Sequence, residues 1–163
     1  MEKPLILVIN DDGISANGIR NLIRIMNDFG DVVVVAPNKP QSGKSNSITI
    51  ESTIRCDKVI IDKGPQEEYA CSGTPVDCVK LALNQILEKK PDLCVSGINH
   101  GSNSSINVIY SGTMSAAIEG ALEKIPSIGF SLLDYDLNAD FTESEPYIRK
   151  IVKKVINYGL DEG

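Results

Sequence analysis

The chain has 163 residues, 42% of them hydrophobic and 23% charged, which is typical of one globular domain of ordinary size. Its 22 acidic and 16 basic side chains give a formal charge of −6, so the surface as a whole repels a nucleic-acid backbone and we expect no binding to nucleic-acid polymers. The longest early apolar run, residues 5–9, is too short for a signal peptide or a membrane span. We therefore expect a cytoplasmic protein without membrane contacts, in which a local positive site could still bind a small phosphate ligand.

The four cysteines are widely spaced, and the chain has a single histidine, His100. Without a Cys-x-x-Cys pair, a zinc site of the usual kind has almost no ligands to draw on. In a protein without a secretion signal, reduced and mostly buried thiols are the expectation. The expectation covers all four cysteines: Cys56, Cys71, Cys78 and Cys94.

The first half of the chain alternates between predicted strands and helices. Residues 5–9 predict a strand buried on both faces, and apolar residues recur at helical spacing over 19–29, before a stop signal at Gly30. A second buried strand is predicted at 32–35, followed by a polar loop at 38–47. Two alternating segments then predict a small antiparallel element at one side of the sheet, at residues 48–54 and 59–61.

The second half continues the same alternation. Thr74 as N-cap and Pro75 at the first helical position open a helix with apolar residues to Leu87, and a third buried strand follows at 93–95. Three more elements are predicted: a helix at 114–122 with its apolar stripe inward, a strand at 128–133 and a helix capped by Ser144. Strands that alternate with crossover helices predict an α/β fold, a Rossmann-like and mostly parallel sheet with helices on both faces, in a single domain over 1–163.

Three polar clusters follow predicted strands, where ligands bind in open parallel sheets, at residues 10–13, 40–45 and 96–101. In the first, Asp11 and Asp12 repel one another unless a cation or a proton intervenes. A hard divalent ion such as Mg²⁺ or Mn²⁺ prefers oxygen ligands, and Ser42 and Asn99 offer neutral oxygens from the other two clusters. The alternative is a solvated Asp-Gly turn and two ordinary turn residues.

A second candidate site is the segment Ser111-Gly112-Thr113, directly before the most regular predicted helix. Its hydroxyls and the free N–H groups of the helix predict an anion site, which the helix dipole strengthens. The upstream loop, Gly101 to Asn103, favours phosphate binding there. The alternative is an ordinary N-cap made by Ser111 or Thr113.

Two known phosphate-binding motifs are excluded. Gly43-Lys44-Ser45 is similar to the end of a P-loop, but Asn38 stands where the first glycine is needed and a strand is predicted to follow. No Gly-x-Gly-x-x-Gly follows the first strand. Lys44 as a phosphate contact and His100 as a general acid remain weaker hypotheses beside an exposed loop lysine and an incidental histidine.

Five ordered blocks of sequence carry a family pattern. They are Asn-Asp-Asp-Gly-x-x-Ala-x-Gly-Ile at 10–19, Ala-Pro…Gln-Ser-Gly-x-Ser at 36–45, Ser-Gly-Thr-Pro-x-Asp-Cys-Val at 72–79, Ser-Gly-Ile-Asn-x-Gly-x-Asn at 96–103 and Tyr-Ser-Gly-Thr-Met-Ser-Ala-Ala-x-Glu-Gly at 110–120. Together they resemble the SurE family, the stationary-phase survival nucleotidases. Met114 stands where the family more usually has Val, an apolar exchange.

The resemblance implies a metal-dependent phosphatase that hydrolyses nucleoside 5′- and 3′-monophosphates, and in some members short polyphosphate. One divalent ion per subunit, Mg²⁺ or Mn²⁺, would be held by Asp11, Asp12, Ser42 and Asn99. The phosphate pocket would be lined by Asn99, Gly101, Asn103, Ser111, Gly112 and Thr113. The ion would activate a water for in-line attack, with Asp11 or Asp12 taking its proton.

SurE proteins usually continue for tens of residues into a C-terminal extension that exchanges between subunits. We therefore expect this chain to lack that extension, and to form the family's homodimer or higher oligomer less firmly. Among rival enzymes, a haloacid-dehalogenase-like phosphatase needs Asp-x-Asp, but Gly13 stands at the second acid position. A receiver-like signalling domain needs an Asp after the third buried strand, where Ser96-Gly97 stand. A fragment that binds metal and nucleotide without catalysis is the third alternative.

Overall fold

The structure is a computed structural model that describes residues 3–136 and 138–160. The predicted domain, 1–163, also includes residues 1, 2, 137 and 161–163, which lie outside the described ranges. The strands of the described part are β1 (Leu5–Ile9), β2 (Asp31–Pro37), β3 (Cys56–Val59), β4 (Glu67–Cys71), β5 (Leu93–His100) and β6 (Ser127–Leu132). The α-helices are α1 (Asn17–Met26), α2 (Pro75–Leu81), α3 (Asn107–Tyr110), α4 (Gly112–Leu122) and α5 (Glu145–Tyr158). A turn of π-helix (Ala82–Ile86) prolongs α2, and a 3-10 turn (Thr142–Ser144) precedes α5.

The strands form one sheet in the order β3-β4-β2-β1-β5-β6. Every neighbouring pair is parallel except β3 and β4, which are antiparallel. From β1 the chain continues to β2, then to β3 at the edge of the sheet, and returns to form β4 between β3 and β2. It then crosses to the other side of β1 to form β5. The strand order therefore reverses between β1 and β5, which is where ligands bind in folds of this kind. The predicted Rossmann-like α/β fold is confirmed.

Helices cover both faces of the sheet, and β1 shows why its five apolar residues are needed. Ile6 and Val8 belong to the core under α1 and α5, whereas Leu7 and Ile9 belong to the core under α2 and α4. Because successive side chains point to opposite faces, a strand covered on both sides must be apolar throughout. In the described ranges, none of the helices has the length and apolar character needed to cross a membrane.

The predicted antiparallel element exists, but most of it lies elsewhere in the sequence. Residues 48–54 form no strand, so that prediction is wrong, and of 59–61 only Val59 lies in β3. Ile50 is 81% exposed, and the backbone N–H of Thr49 donates to the side chain of Asp77 instead of to a neighbouring strand. Alternation alone does not make a strand when the apolar side chains have nothing to pack against.

The prediction of four reduced thiols is wrong for two of them. Cys56 and Cys71 are opposite each other in the antiparallel pair of β3 and β4, and they form a disulfide. The prediction failed because the register that brings these residues together depends on β4, which the sequence analysis did not identify. Cys78 and Cys94 are free and buried, as expected.

Two helices differ in detail from their predicted faces. In α4 the small residues Ala116 and Ala117 are buried, whereas Leu122, assigned to the inward stripe, is 72% exposed. Small residues therefore face the sheet and allow close approach of the helix. Ser144 stands at the N-cap of α5 as predicted, but its hydroxyl donates to the carbonyl of Phe141 and makes no capping bond.

Candidate metal and phosphate site

The three polar clusters lie at the carboxyl ends of neighbouring strands. The first follows β1, and the loop 38–55, which follows β2, contains the second. The third begins inside β5, because residues 96–100 belong to that strand and its register with β6 shifts between Ser96 and Asn99. The predicted loop at 96–101 is therefore largely strand, with Asn99 near its carboxyl end.

Asp11 is the centre of the cluster and is only 4% exposed. Thr113 Oγ1 donates to Asp11 Oδ1 at 2.5 Å, and Gln41 N donates to the backbone oxygen of Asp11 at 2.7 Å. A Cβ atom at Gly112 would lie 2.8 Å from Asp11 Oδ2, so the first turn of α4 lies directly against this carboxylate. Asp11, directly after β1, thus contacts both the first turn of α4 and the loop after β2.

The two adjacent carboxylates are under electrostatic strain. Burial raises the pKa of Asp11 from its ordinary value, and the hydrogen bond from Thr113 offsets part of that rise. Burial is also the main cause of the raised pKa of Asp12, and the negative charge of Asp11 raises it further. The charge and the backbone N–H of His100 act in the opposite direction on Asp12. A bound cation would relieve the desolvation and the repulsion together.

Asn10 is a member of the first cluster to which the sequence analysis gave no role. It is buried, and its Nδ2 donates to the carbonyl of Gly13 at 2.8 Å. Its Oδ1 is buried and has no hydrogen-bond partner among the described residues. A buried acceptor without a donor needs an explanation such as an ion or a water. Its position beside Asp11 in the block at 10–13 was the available signal.

On the β5 side, Asn99 uses its amide nitrogen locally. Asn99 Nδ2 donates to the carbonyls of His100 and Gly101 and to Asn103 Oδ1, at 3.0, 3.2 and 3.2 Å. These bonds leave Oδ1 as the atom of this amide that can serve as a ligand. Gly101 has φ +88° and lies under the ring of Tyr135, so a side chain is disfavoured there for two reasons.

The N-cap interpretation of the segment 111–113 is confirmed, whereas the anion site stays a prediction. Ser111 is the N-cap of α4, and its Oγ accepts from the backbone N–H of Met114 at 3.0 Å. The hydroxyl of Thr113 is directed at Asp11 and not at an open anion site. Asn103 Nδ2 is buried and has no hydrogen-bond partner among the described residues. The N-terminus of α4 lies beside Asp11, and the amide of Asn103, which is bonded to Asn99, is an unpartnered donor among the described residues.

The remaining candidates are less closely connected to the aspartates. Ser42 is exposed, and the bond from Gln41, the preceding residue, to Asp11 is what places it at this edge of the sheet. Lys44 is also exposed. The ring of His100 packs edge-on against Phe141 with centroids 5.1 Å apart, and its Nδ1 is buried without a partner among the described residues.

Within 3–136 and 138–160, no group of three or more His, Cys, Asp or Glu side chains could hold a metal ion. A cation at this site would therefore bind two carboxylates and complete its coordination with neutral oxygens of Ser, Asn, backbone or water. That donor set suits a hard divalent cation and excludes a zinc site of the thiolate and imidazole kind.

The fold and the site define a Rossmann-like α/β domain with a buried acidic, oxygen-rich site at its topological switch point. The chain belongs to the SurE family, because the family model described as Survival protein SurE matches residues 6–163. It is 65% identical to 5'-nucleotidase SurE of Flavobacterium psychrophilum over 162 residues, which cover 99% of this chain and 63% of that protein. It is 62% identical to 5'-nucleotidase SurE of Christiangramia forsetii, again over 99% of this chain and 63% of that protein.

Among solved structures, the chain is similar to the crystal structure of the SurE protein from Aquifex aeolicus. The TM-score is 0.86 at 42% identity, and the match covers 96% of this chain and 62% of that one. The chain thus spans about 63% of the length of the curated relatives that it matches.

Proposed function

We propose that this protein is a metal-dependent phosphomonoesterase that hydrolyses nucleoside 5′-monophosphates to nucleoside and phosphate. The observation that carries the proposal is the buried carboxylate of Asp11, which lies at the end of β1 against the first turn of α4. A cation held there is beside a helix N-terminus, which binds anions such as phosphate. The printed name of the relatives, 5'-nucleotidase SurE, supports the same substrate class. Nucleoside 3′-monophosphates and short polyphosphate are further proposed substrates.

The proposed ligands of one divalent ion per subunit, Mg²⁺ or Mn²⁺, are Asp11, Asp12, Ser42 and Asn99. The chemistry of these donors fits such an ion, since two carboxylates match its charge and the other two ligands are neutral oxygens. The raised pKa values of both aspartates also favour a cation, because the paired negative charges are poorly solvated without one. Asn10 Oδ1 is a further buried oxygen beside this set.

When bound, the ion would polarise the phosphoryl oxygens and lower the pKa of a coordinated water. The residues of the chain bind and orient the substrate. The N–H groups at the start of α4, with Ser111, Gly112 and Thr113, stabilise the negative charge that develops on the transferred phosphoryl group. Asn103 donates from its unpartnered Nδ2. Gly101 belongs to the same loop as Asn103 and is a further proposed phosphate-binding residue.

The proton of the attacking water passes to Asp11 or Asp12. Either carboxylate, as a ligand of the ion, would be close to a water bound to the same ion and could accept its proton as a general base. Thr113 fixes the rotamer of Asp11 through its 2.5 Å hydrogen bond. The backbone N–H of His100 favours the charged form of Asp12 and so lowers its pKa.

The proposed setting is the cytoplasm, with nucleoside monophosphates as substrates and a homodimer or higher homo-oligomer as the assembly. The experiment measures inorganic phosphate released from AMP and GMP, with 3′-AMP and tripolyphosphate in parallel, in Mn²⁺, in Mg²⁺ and in EDTA. Asp12→Asn is the test variant. Asp31→Asn is the matched control, because Asp31 is an exposed aspartate at the amino end of β2, whereas the candidate site lies at the carboxyl ends of the strands.

We expect many turnovers with metal, none in EDTA, and a loss of about 100-fold or more in Asp12→Asn, the scale on which acid–base catalysis acts. The control should keep full activity. Turnover that survives both EDTA and Asp12→Asn would refute the proposed mechanism. A folded, metal-binding chain without turnover would refute catalysis by this chain and leave it as a binding domain.

A further inference from the structure

We propose that Thr49 and Asp77 are positioning residues that hold the loop 38–55 in place and thereby keep Ser42 at the metal site. This inference rests on the proposed function, which makes Ser42 a metal ligand. Asp77 belongs to the block Ser-Gly-Thr-Pro-x-Asp-Cys-Val at 72–79, to which the proposed reaction assigns no role. The segment 71–77 contacts the loop at its start, in its middle and at its end.

The two ends of the loop are fixed by backbone hydrogen bonds to this segment. At the start, Asn38 N donates to the carbonyl of Cys71 at 2.7 Å. At the end, Ser72 N donates to the carbonyl of Arg55 at 2.8 Å, and Arg55 N donates to Ser72 Oγ at 2.9 Å. The loop therefore leaves and returns to the same short stretch of chain.

The middle of the loop is held by side chains at the start of α2. Thr49 Oγ1 donates to Asp77 Oδ2 at 2.6 Å, and Thr49 N lies 3.1 and 3.2 Å from the two carboxylate oxygens of Asp77. Thr74 Oγ1 donates to the carbonyl of Ser47 at 2.7 Å. The bonds from Thr49 have a carboxylate as acceptor, so they are stronger than hydrogen bonds between neutral groups such as the one from Thr74.

The surroundings of Asp77 keep its carboxylate in one place. Asp77 is only 4% exposed, and it also accepts from the backbone N–H of Thr74 at 2.9 Å in a capping box. A Cβ at Gly73 would lie 2.7 Å from the Cβ of Asp77 and 2.8 Å from its Oδ2, so the absence of a side chain at Gly73 is what admits this carboxylate. One buried anion thus binds both the helix start and the loop.

A series of backbone hydrogen bonds connects this part of the loop to Asp11. Ser47 N donates to the carbonyl of Lys44, and Lys44 N donates to the carbonyl of Gln41. Gln41 N in turn donates to the backbone oxygen of Asp11 at 2.7 Å. Ser42 lies inside this path, between the fixed Gln41 and the fixed Ser47. The position of Ser42 therefore depends on the hydrogen bonds at both ends of this path.

The test uses Thr49, because Asp77 caps a helix and its replacement could unfold the chain. Thr49→Val removes the donating hydroxyl at nearly constant shape, and Thr49→Ser keeps it. Thr53→Val is the matched control, since Thr53 is an exposed threonine of the same loop. Lys44 provides a proteolytic reporter, because it is exposed and the other lysine of the loop, Lys39, precedes a proline and resists trypsin.

The first measurement is the rate of native-state cleavage by trypsin after Lys44 in EDTA, with the melting temperature measured alongside. Loss of one hydrogen bond to a carboxylate should raise the open population of the loop, and hence the cleavage rate, by about tenfold. Thr49→Ser and Thr53→Val should cleave at the original rate. Equal cleavage rates in Thr49→Val and the unaltered chain would overturn the proposal.

The second measurement is the Mn²⁺ affinity of Thr49→Val, Ser42→Ala and the double variant. The affinity is determined from the spectroscopic signal of free Mn²⁺. We expect each single change to weaken binding by about tenfold and the double variant to bind no worse than Ser42→Ala, because both act through one ligand. Equal weakening by Thr49→Val with and without Ser42 would overturn the proposal. Neither readout requires turnover, so an inactive chain that shows both effects would contradict the proposed function and still support the positioning role.

Discussion

Gly112→Ala is the sharpest steric test of the candidate site. Gly112 is the first residue of α4 and lies against the carboxylate of Asp11. Its φ angle is not in the left-handed region, so alanine is compatible with the backbone and is a better helix former. The substitution therefore adds a single methyl group beside Asp11.

The expected effect follows from the distances. The new Cβ would lie 2.5 Å from Asp11 Cβ, whereas ordinary van der Waals contact begins at 3.4 Å. The carboxylate must therefore move by about 1 Å, which is enough to lower activity by about 100-fold. Overpacking by one methyl group costs about 1–3 kcal/mol, and the gain in helix propensity offsets about 1 kcal/mol of this. The chain should remain folded while its site is displaced.

The assay compares Mn²⁺ affinity, phosphate release from AMP and the free energy of unfolding in urea. Gly64→Ala is the control, because the three atoms nearest to a Cβ there all belong to the side chain of Gln66 and none belongs to the candidate site. We expect Gly112→Ala to lose metal affinity and activity together at a stability within about 2 kcal/mol of the original, as the two opposing terms imply. Metal affinity and activity within twofold of the unaltered chain would refute the placement of the site at Asp11.

Three further predictions concern charge and hydrogen bonding. The folded-state pKa of Asp11 is raised above its unfolded value of 3.8, so the metal-free protein should lose stability as the pH rises above about 4. Asp11→Asn should therefore be more stable than the unaltered chain at pH 7, as measured by urea titration in EDTA. Thr113→Val removes the donor to Asp11 and should weaken Mn²⁺ binding by about tenfold at similar stability; unchanged affinity would contradict the role of that bond. Arg20→Met leaves Glu68, 2% exposed, without its bidentate partner and should destabilise the fold by about 3–5 kcal/mol; a loss below about 1 kcal/mol in urea would contradict this.

Local sequence was sufficient wherever a short-range physical rule decided the structure. The apolar run at 5–9 predicted a strand covered on both faces, and Thr74 followed by Pro75 predicted a helix start; the structure confirms both. The rule that ligands bind beyond strand ends predicted that Asp11 and Asn99 lie at the same end of the sheet. Both lie near the carboxyl ends of the neighbouring parallel strands β1 and β5. These inferences depend on the periodicity of apolar side chains and on the alternation of strands with helices, and both can be seen in the sequence.

The errors fall where a distant partner decides the structure. Residues 48–54 alternate as a strand would, but the buried carboxylate of Asp77 takes the backbone N–H of Thr49. The disulfide between Cys56 and Cys71 depends on the register of β3 against β4. The alternating pattern could not reveal that Asp77, 28 positions further along, replaces a neighbouring strand.

The small number of acids at the site is itself informative about the proposed reaction. Two carboxylates balance the charge of one divalent ion, so the loaded site would be close to neutral and would not repel a phosphate dianion by its net charge. A third carboxylate in place of Ser42 or Asn99 would hold the ion more tightly but would oppose the substrate. The proposed neutral ligands, Ser42 and Asn99, would bind the ion less tightly than carboxylates, and in our proposal the hydrogen bonds that hold the loop of Ser42 offset part of this loss. Metal affinity at this site should therefore depend on hydrogen bonds well outside the coordination sphere.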